Sequence, residues 1–128
     1  MEKHVTEMKK LKPNGFVLLD DVPCYVEKVQ KSKAGKHGAA KARLFARGIF
    51  DNQKKIVVSP ADTKVDVPVI EKRAMQVVAL VDRNATLMDL EDFSQIELPI
   101  PEDFPPLVEG DEVLVWRFDR YAMIKQKK

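Results

Sequence analysis

Cysteine is almost absent from this chain, with one residue, Cys24, among 128. A lone thiol forms no internal disulfide, which fits a reducing compartment. Cys24 and two histidines cannot build a cysteine-rich zinc site. Long apolar runs are also lacking. The longest, Val77 to Val81, has five residues, whereas a membrane helix needs about 20. No apolar stretch follows Met1-Glu2-Lys3-His4, so no secretory signal is read there. Helical periodicity is weak, no repeat recurs at solenoid spacing, and no tract is of low complexity. What is present is a composition of 45% hydrophobic and 33% charged residues, which implies a folded, soluble protein; with the lone cysteine and no membrane span, a cytoplasmic location is expected.

Short apolar stretches bounded by Gly, Pro, Asn and Asp run through the chain and predict an all-β fold. Strands are expected near Phe16–Leu19, Cys24–Gln30, Ala40–Ile49, Lys55–Val58 and Lys64–Asp66. A second set is expected near Met75–Val81, Thr86–Leu90, Gln95–Leu98, Asp111–Phe118 and Ala122–Lys125. Turn residues separate them, as in Pro13-Asn14-Gly15, Asp20-Asp21 and Glu109-Gly110-Asp111. Four of the eight prolines fall between Pro99 and Pro106, so that segment is a connection, with room for one helical turn.

Net charge is only +2, but it is unevenly distributed. Residues 1–68 carry 14 Lys/Arg against 8 Asp/Glu, a balance of +6; residues 69–128 carry 8 against 12, a balance of −4. Charge changes sign at Asp66-Val67-Pro68-Val69, where proline stiffens the chain. The expected division is therefore a basic domain, 1–68, and an acidic domain, 69–128. Small barrels suit halves of this size, because closure removes exposed sheet edges. A positive half implies a polyanion partner.

Residues 31–48 hold six Lys/Arg and no acid. From Ala40 to Arg47 the pattern has period two. Ala40, Ala42, Leu44 and Ala46 share one face; Lys41, Arg43, Phe45 and Arg47 share the other. The second face, together with Lys31 and Lys33, suits a phosphate backbone, with Arg43 and Arg47 as fork donors. It equally suits a solvated edge strand protected from aggregation by charge. Composition leaves these two readings open. Ahead of that strand, Gly35 and Gly38 bracket Lys36-His37, which predicts a tight reversal projecting a charged, hydrated amine. A plain hairpin turn is the simpler alternative. A phosphate-loop reading fails, because Gln30 stands where the first glycine is needed and His37 where Ser or Thr should be.

Gly35-Lys36-His37-Gly38, with Ser32-Lys33 before it and Ala40-Lys41 after it, resembles the hypusine loop of the translation initiation factor 5A family. Pro23-Cys24, Asp66-Val67-Pro68 and Leu87-Met88-Asp89 extend the resemblance over nearly the whole chain. The resemblance implies an N-terminal SH3-like barrel and a C-terminal OB-fold barrel. Bacterial elongation factor P is a relative with a third domain, for which this chain has no room. By the same resemblance, Lys36 is the lysine that deoxyhypusine synthase alkylates with an aminobutyl group from spermidine. Gly35, His37 and Gly38 then shape the loop and meet the modifying enzyme. The implied partners are the ribosome and peptidyl-tRNA, contacted by Lys31, Lys33, Lys41, Arg43 and Arg47. The implied activity is promotion of peptide-bond formation at proline-rich stalls. Proline hinders that reaction because its ring restricts the backbone on both sides. Ala39, where the eukaryotic form has histidine, and the absence of a long acidic extension resemble archaeal members. That leaves deoxyhypusine as a candidate final state.

The expectation is thus a monomeric, non-enzymatic translation factor with no catalytic residue, metal or cofactor. A general RNA-binding module, acting through the basic strand without modification, is the alternative. A small hydrolase or nuclease has only His37 in its favour. His4 is expected at a frayed terminus and Cys24 in a core. Leu87, Met88, Leu90 and Phe93 are also expected in a core. Trp116 and Phe118 are expected in a covered barrel strand, with an exposed stacking platform as the lesser reading.

Overall fold

A computed structural model describes residues 2–32 and 40–128. The chain divides into two compact units, Met1–Val69 and Ile70–Lys128. The first unit contains β1 (Lys3–Glu7), a 3-10 turn (Met8–Lys10), β2 (Phe16–Leu19), β3 (Val22–Lys31), β4 (Lys41–Gly48), β5 (Lys54–Pro60) and β6 (Lys64–Pro68). These strands form one antiparallel sheet in the order β1-β6-β2-β3-β4-β5. The sheet curls into the SH3-like barrel. The 3-10 turn lies against β4 and buries Met8 in the core, its N–H donating to the Thr63 carbonyl at 2.9 Å. Met8, Val17, Cys24, Val26, Ala42, Leu44 and Ala46 fill the interior. Each large apolar side chain buried there stabilises the fold by roughly 1.5–3 kcal/mol.

Local chemistry sets the corners. Asp20 and Asp21 both have positive φ, 51° and 63°, the pair a two-residue hairpin between right-twisted strands requires. At Gly48, the last residue of β4, a Cβ would meet the Asp51 carboxylate, which accepts the Gln53 N–H at 3.1 Å, so a larger residue there would have to displace that side chain.

The second unit contains β7 (Glu71–Val81), β8 (Asn84–Asp89), β9 (Gln95–Pro99), β10 (Glu112–Phe118) and β11 (Tyr121–Lys127). Their order is β11-β10-β7-β8-β9, and β9 also approaches β11, closing the OB-fold barrel. Met75, Val77, Leu87, Val113, Val115 and Ile124 are its core. The all-β expectation holds throughout the described residues.

Four local expectations fail. Met88, expected in the core, is half-buried on the outward side of β8. His4 is not at a frayed end; it sits in β1, opposite Val67 on β6. The segment from Pro99 to Pro106 contains no helical turn. Phe93 is not core: it is 67% exposed at φ 62°. It is carried outward by a tight loop in which its N–H donates to the Asp89 carbonyl.

Candidate functional site

The basic arm is built on β3 and β4. Tyr25 pairs with Arg47, Val29 with Leu44, Gln30 with Arg43 and Lys31 with Ala42. The ladder ends at Ser32, whose N–H donates to the Lys41 carbonyl at 2.9 Å. The Ser32 hydroxyl adds a bond to the same carbonyl at 3.3 Å. The hairpin is therefore tied off at Ser32 and Lys41. Residues 33–39, including the expected site residues Lys33, Gly35, Lys36, His37 and Gly38, lie outside the described residues.

Alternation along β4 sorts its side chains as its sequence implies. Ala42, Leu44 and Ala46 are each 1% exposed or less, while Lys41 and Arg43 are exposed and Phe45 and Arg47 half-buried. Small inward residues let β4 lie close over the core, and the outward residues are left to solvent. Ala40 is half-buried and precedes the strand.

The four described cations that the sequence pattern singles out are not equivalent. Lys31, Lys41 and Arg43 are exposed and make no ion pair among the described residues. Arg47 is engaged: its Nε lies 3.6 Å from the Glu27 carboxylate, and its Nη1 donates to Asn52 Oδ1 at 3.3 Å. Arg43 thus presents its guanidinium to solvent, while Arg47 is held by an acid of its own unit. Gln30, Ser32, Val58, Lys31, Lys41 and Arg43 surround an open depression of about 620 Å³.

Two further contributors carried no signal in the strand pattern. Lys28 Nζ lies 5.1 Å from the Phe45 ring centroid, adding a cation to that face. Ile56 and Val58 on the edge strand β5 are 63% and 52% exposed, opposite Phe45 and Arg43. The alternation of β5 marks them as one face, but nothing local says which face is outward.

Other chemistry-bearing groups are structural. Cys24 is fully buried and donates to the Val22 carbonyl at 3.4 Å; burial pushes its thiol up to about 11. It is a core residue and no nucleophile at neutral pH. Asp89 is the one buried carboxylate among the described residues. Arg73 Nε donates to it at 2.8 Å, and the Glu91 N–H donates at 2.8 Å. The Arg73 bond, with backbone donors behind it, outweighs burial and holds the Asp89 carboxyl at about 2. Among the described residues, no group of three or more His, Cys, Asp or Glu is placed to hold a metal ion.

Residues 2–63 match the family model described as translation initiation factor 5A-like, N-terminal. The chain is 46% identical over 112 residues to translation initiation factor 5A of Methanothrix thermoacetophila, covering 87% of this chain and 88% of that one. It is 47% identical over 114 residues to the factor of the same name from Methanothermobacter thermautotrophicus, covering 88% of each. The solved structure of eukaryotic translation initiation factor 5A from Methanococcus jannaschii superposes with a TM-score of 0.90 at 36% identity, over 98% of this chain and 96% of that one. A family protein from Naegleria fowleri gives 0.77 at 25% identity, over 100% and 99%.

Proposed function

The chain belongs to the translation initiation factor 5A family, and from that premise we propose that it works on the ribosome beside peptidyl-tRNA, through Lys36 converted to deoxyhypusine or hypusine. The modified side chain is longer than lysine and carries a second amine while keeping the first. It acts as a thin polycation that steadies the acceptor end of the tRNA when substrates align badly, as consecutive prolines do. The ribosome supplies the chemistry, and the factor contributes position.

The observation that supports this reading is the end of the β3–β4 ladder. Lys31 stands opposite Ala42 and Ser32 bonds to Lys41, so Gly35-Lys36-His37-Gly38 belongs to the connection between two rigid, basic strands. Lys31, Lys41 and Arg43 at its base give the first unit, with its +6 balance, a phosphate-binding footing. Lys33 adds to this footing by sequence, and Arg47 less, being held by Glu27. In this reading residues 1–68 are the domain that carries the modified lysine, residues 69–128 are the acidic OB-fold domain, and the factor is a cytoplasmic monomer. Deoxyhypusine synthase is the modifying partner, which meets Gly35, His37 and Gly38.

Mass spectrometry of protein from its native host tests the modification. An aminobutyl increment is expected on the peptide containing Lys36. An unmodified peptide would favour a general RNA-binding module working through Lys41 and Arg43 alone.

A further inference from the structure

The six-stranded sheet of the first unit has two outer strands, β1 and β5. Among the described residues each is paired on one side only. An edge strand of this kind turns every second N–H and C=O away from its ladder. The two edges are built differently. β1 is polar, Lys3-His4-Val5-Thr6-Glu7, and its charges are met within the unit. Lys3 Nζ lies 3.3 Å from the Asp66 carboxylate, and the Glu7 carboxylate lies 3.8 and 3.5 Å from the Lys9 and Lys10 ammonium groups. β5 reads Lys54-Lys55-Ile56-Val57-Val58-Ser59-Pro60. Its lysines guard one end and its proline the other, which leaves Ile56 to Ser59 as an unguarded stretch.

Alternation decides what that stretch shows. Val57 turns inward and packs on the core of the first unit. Ile56 and Val58 turn outward, 63% and 52% exposed. They stand opposite Phe45 and Arg43 on β4, and Phe45 is half-buried with Lys28 over its ring. An apolar strip therefore runs out to a free backbone edge. The charge around it is of one sign. β3, β4 and β5 together carry seven Lys/Arg and one acid, Glu27, which Arg47 already holds. Lys28, Arg43 and Lys54 are exposed and make no ion pair among the described residues.

We propose that the β5 edge receives an extended segment of an acidic protein partner, which adds to the sheet as a further strand with apolar side chains on Ile56 and Val58 and carboxylates toward the surrounding cations. Strand addition draws affinity from backbone bonds and selects its partner through alternate side chains. Neighbouring strands lie about 4.8 Å apart, so a side chain of the added strand meets Ile56 or Val58 directly. The next outward position along β5 is Lys54, where an acid on the added strand finds its counter-charge. Charge and shape decide among partners. A second copy of this chain would bring two basic faces together, and like charges oppose that contact. A nucleic acid would meet the cations but gains little from two aliphatic side chains and an edge spaced for another strand. An acidic segment with apolar residues at its centre uses all three. The edge draws on no residue between 33 and 39, so it stands apart from the modification of Lys36.

The full-length protein is titrated with a fluorescein-labelled peptide, Glu-Glu-Val-Thr-Val-Thr-Val-Glu-Glu. In an extended strand its valines share one face and acids flank them there. Expected results are saturable binding by anisotropy and slower amide hydrogen exchange within residues 56–59. The same peptide N-methylated at its five central residues can donate along neither edge and should bind roughly tenfold more weakly. The Ile56→Thr, Val58→Thr double variant keeps charge and β-branching, removes exposed apolar surface, and should lose roughly tenfold in affinity. Lys54→Glu should lose affinity several-fold, more at low salt than at high. These side chains are exposed, so each variant should keep the parental circular dichroism. Equal binding of the N-methylated peptide, or equal binding by the double variant, would overturn strand addition. A ten-nucleotide oligouridylate that binds where the peptide does not would give the face to nucleic acid and overturn the proposal. Self-association lost in the double variant would give the edge to a second copy and overturn it as well. If Lys36 is modified and needed while the peptide does not bind, the translation reading stands and the edge proposal falls.

Discussion

The two units handle ionic charge in opposite ways. On the first, Lys31, Lys41 and Arg43 stand exposed along a hairpin with no acid to meet them among the described residues. In the second, Asp89 is shut inside and fastened to Arg73, and its carboxylate also caps the loop that follows. Exposed cations in water add little to stability but much to long-range attraction. A buried, fully bonded carboxylate fixes local geometry and attracts nothing from outside. Ionic side chains are therefore left to solvent in one barrel and used for construction in the other. Arg47 lies between these extremes, on the basic face of β4 but already held by Glu27.

The sharpest way to break this contrast is at Lys36. Lys36→Arg keeps one positive charge but cannot become hypusine, so it should abolish rescue of proline-rich synthesis in a reconstituted translation assay and leave the urea midpoint unchanged. Retained rescue would return the exposed charges to general RNA binding. Next in size is Asp89→Ala, which removes the Arg73 bond and the two bonds its carboxylate accepts from the Glu91 and Asp92 N–H groups. It should cost the second unit about 3 kcal/mol, read from Trp116 emission in urea. Acid should mimic part of that loss. The Asp89 pKa is depressed to about 2 from 3.8, so its contribution of about 2 kcal/mol is complete above pH 4 and is lost as pH falls toward 2. Asp89→Asn should flatten that acid limb. Arg43→Ala should lower the salt slope of RNA binding by about one, while Arg47→Ala changes it less; both should stay within about 0.5 kcal/mol of the parent in stability. Cys24 provides the smallest effect. Iodoacetamide should fail to label the native protein at pH 8 and label it once unfolded.

The strand pattern was legible where burial and period coincide. Ala42, Leu44 and Ala46 alternate with Lys41, Arg43 and Phe45, and a period of two allows only one way to bury the small residues. β1 escaped notice because Lys3-His4-Val5-Thr6-Glu7 has a single apolar residue, and Val5 is 63% exposed. That strand exists because β6, some sixty residues later, supplies hydrogen bonds from Lys3↔Pro68 to Glu7↔Lys64. Such a non-local cause leaves no local trace. Phe93 misled for the opposite reason: an aromatic ordinarily marks a core, but here the turn closed by Asp89 sets the backbone and carries the ring outward. The Arg73–Asp89 pair was invisible because strand alternation says which side faces inward, not which inward polar groups will meet. The approach of Lys125 to the Trp116 ring, at 4.7 Å, depends on a one-residue bulge in β11 that no propensity foretells.

The pairing of β1 with β6 has a consequence for synthesis. The strand nearest the amino end must wait for Lys64–Pro68 to emerge before it can find its place. Until then β2, with both flanking strands due to join it, has β3 on one side and an open edge on the other. Completion of the first barrel is therefore a late event in the life of a nascent chain. A bulky fusion at the amino end would hinder that last seam while leaving the β3–β4 arm free to form early from its own neighbours.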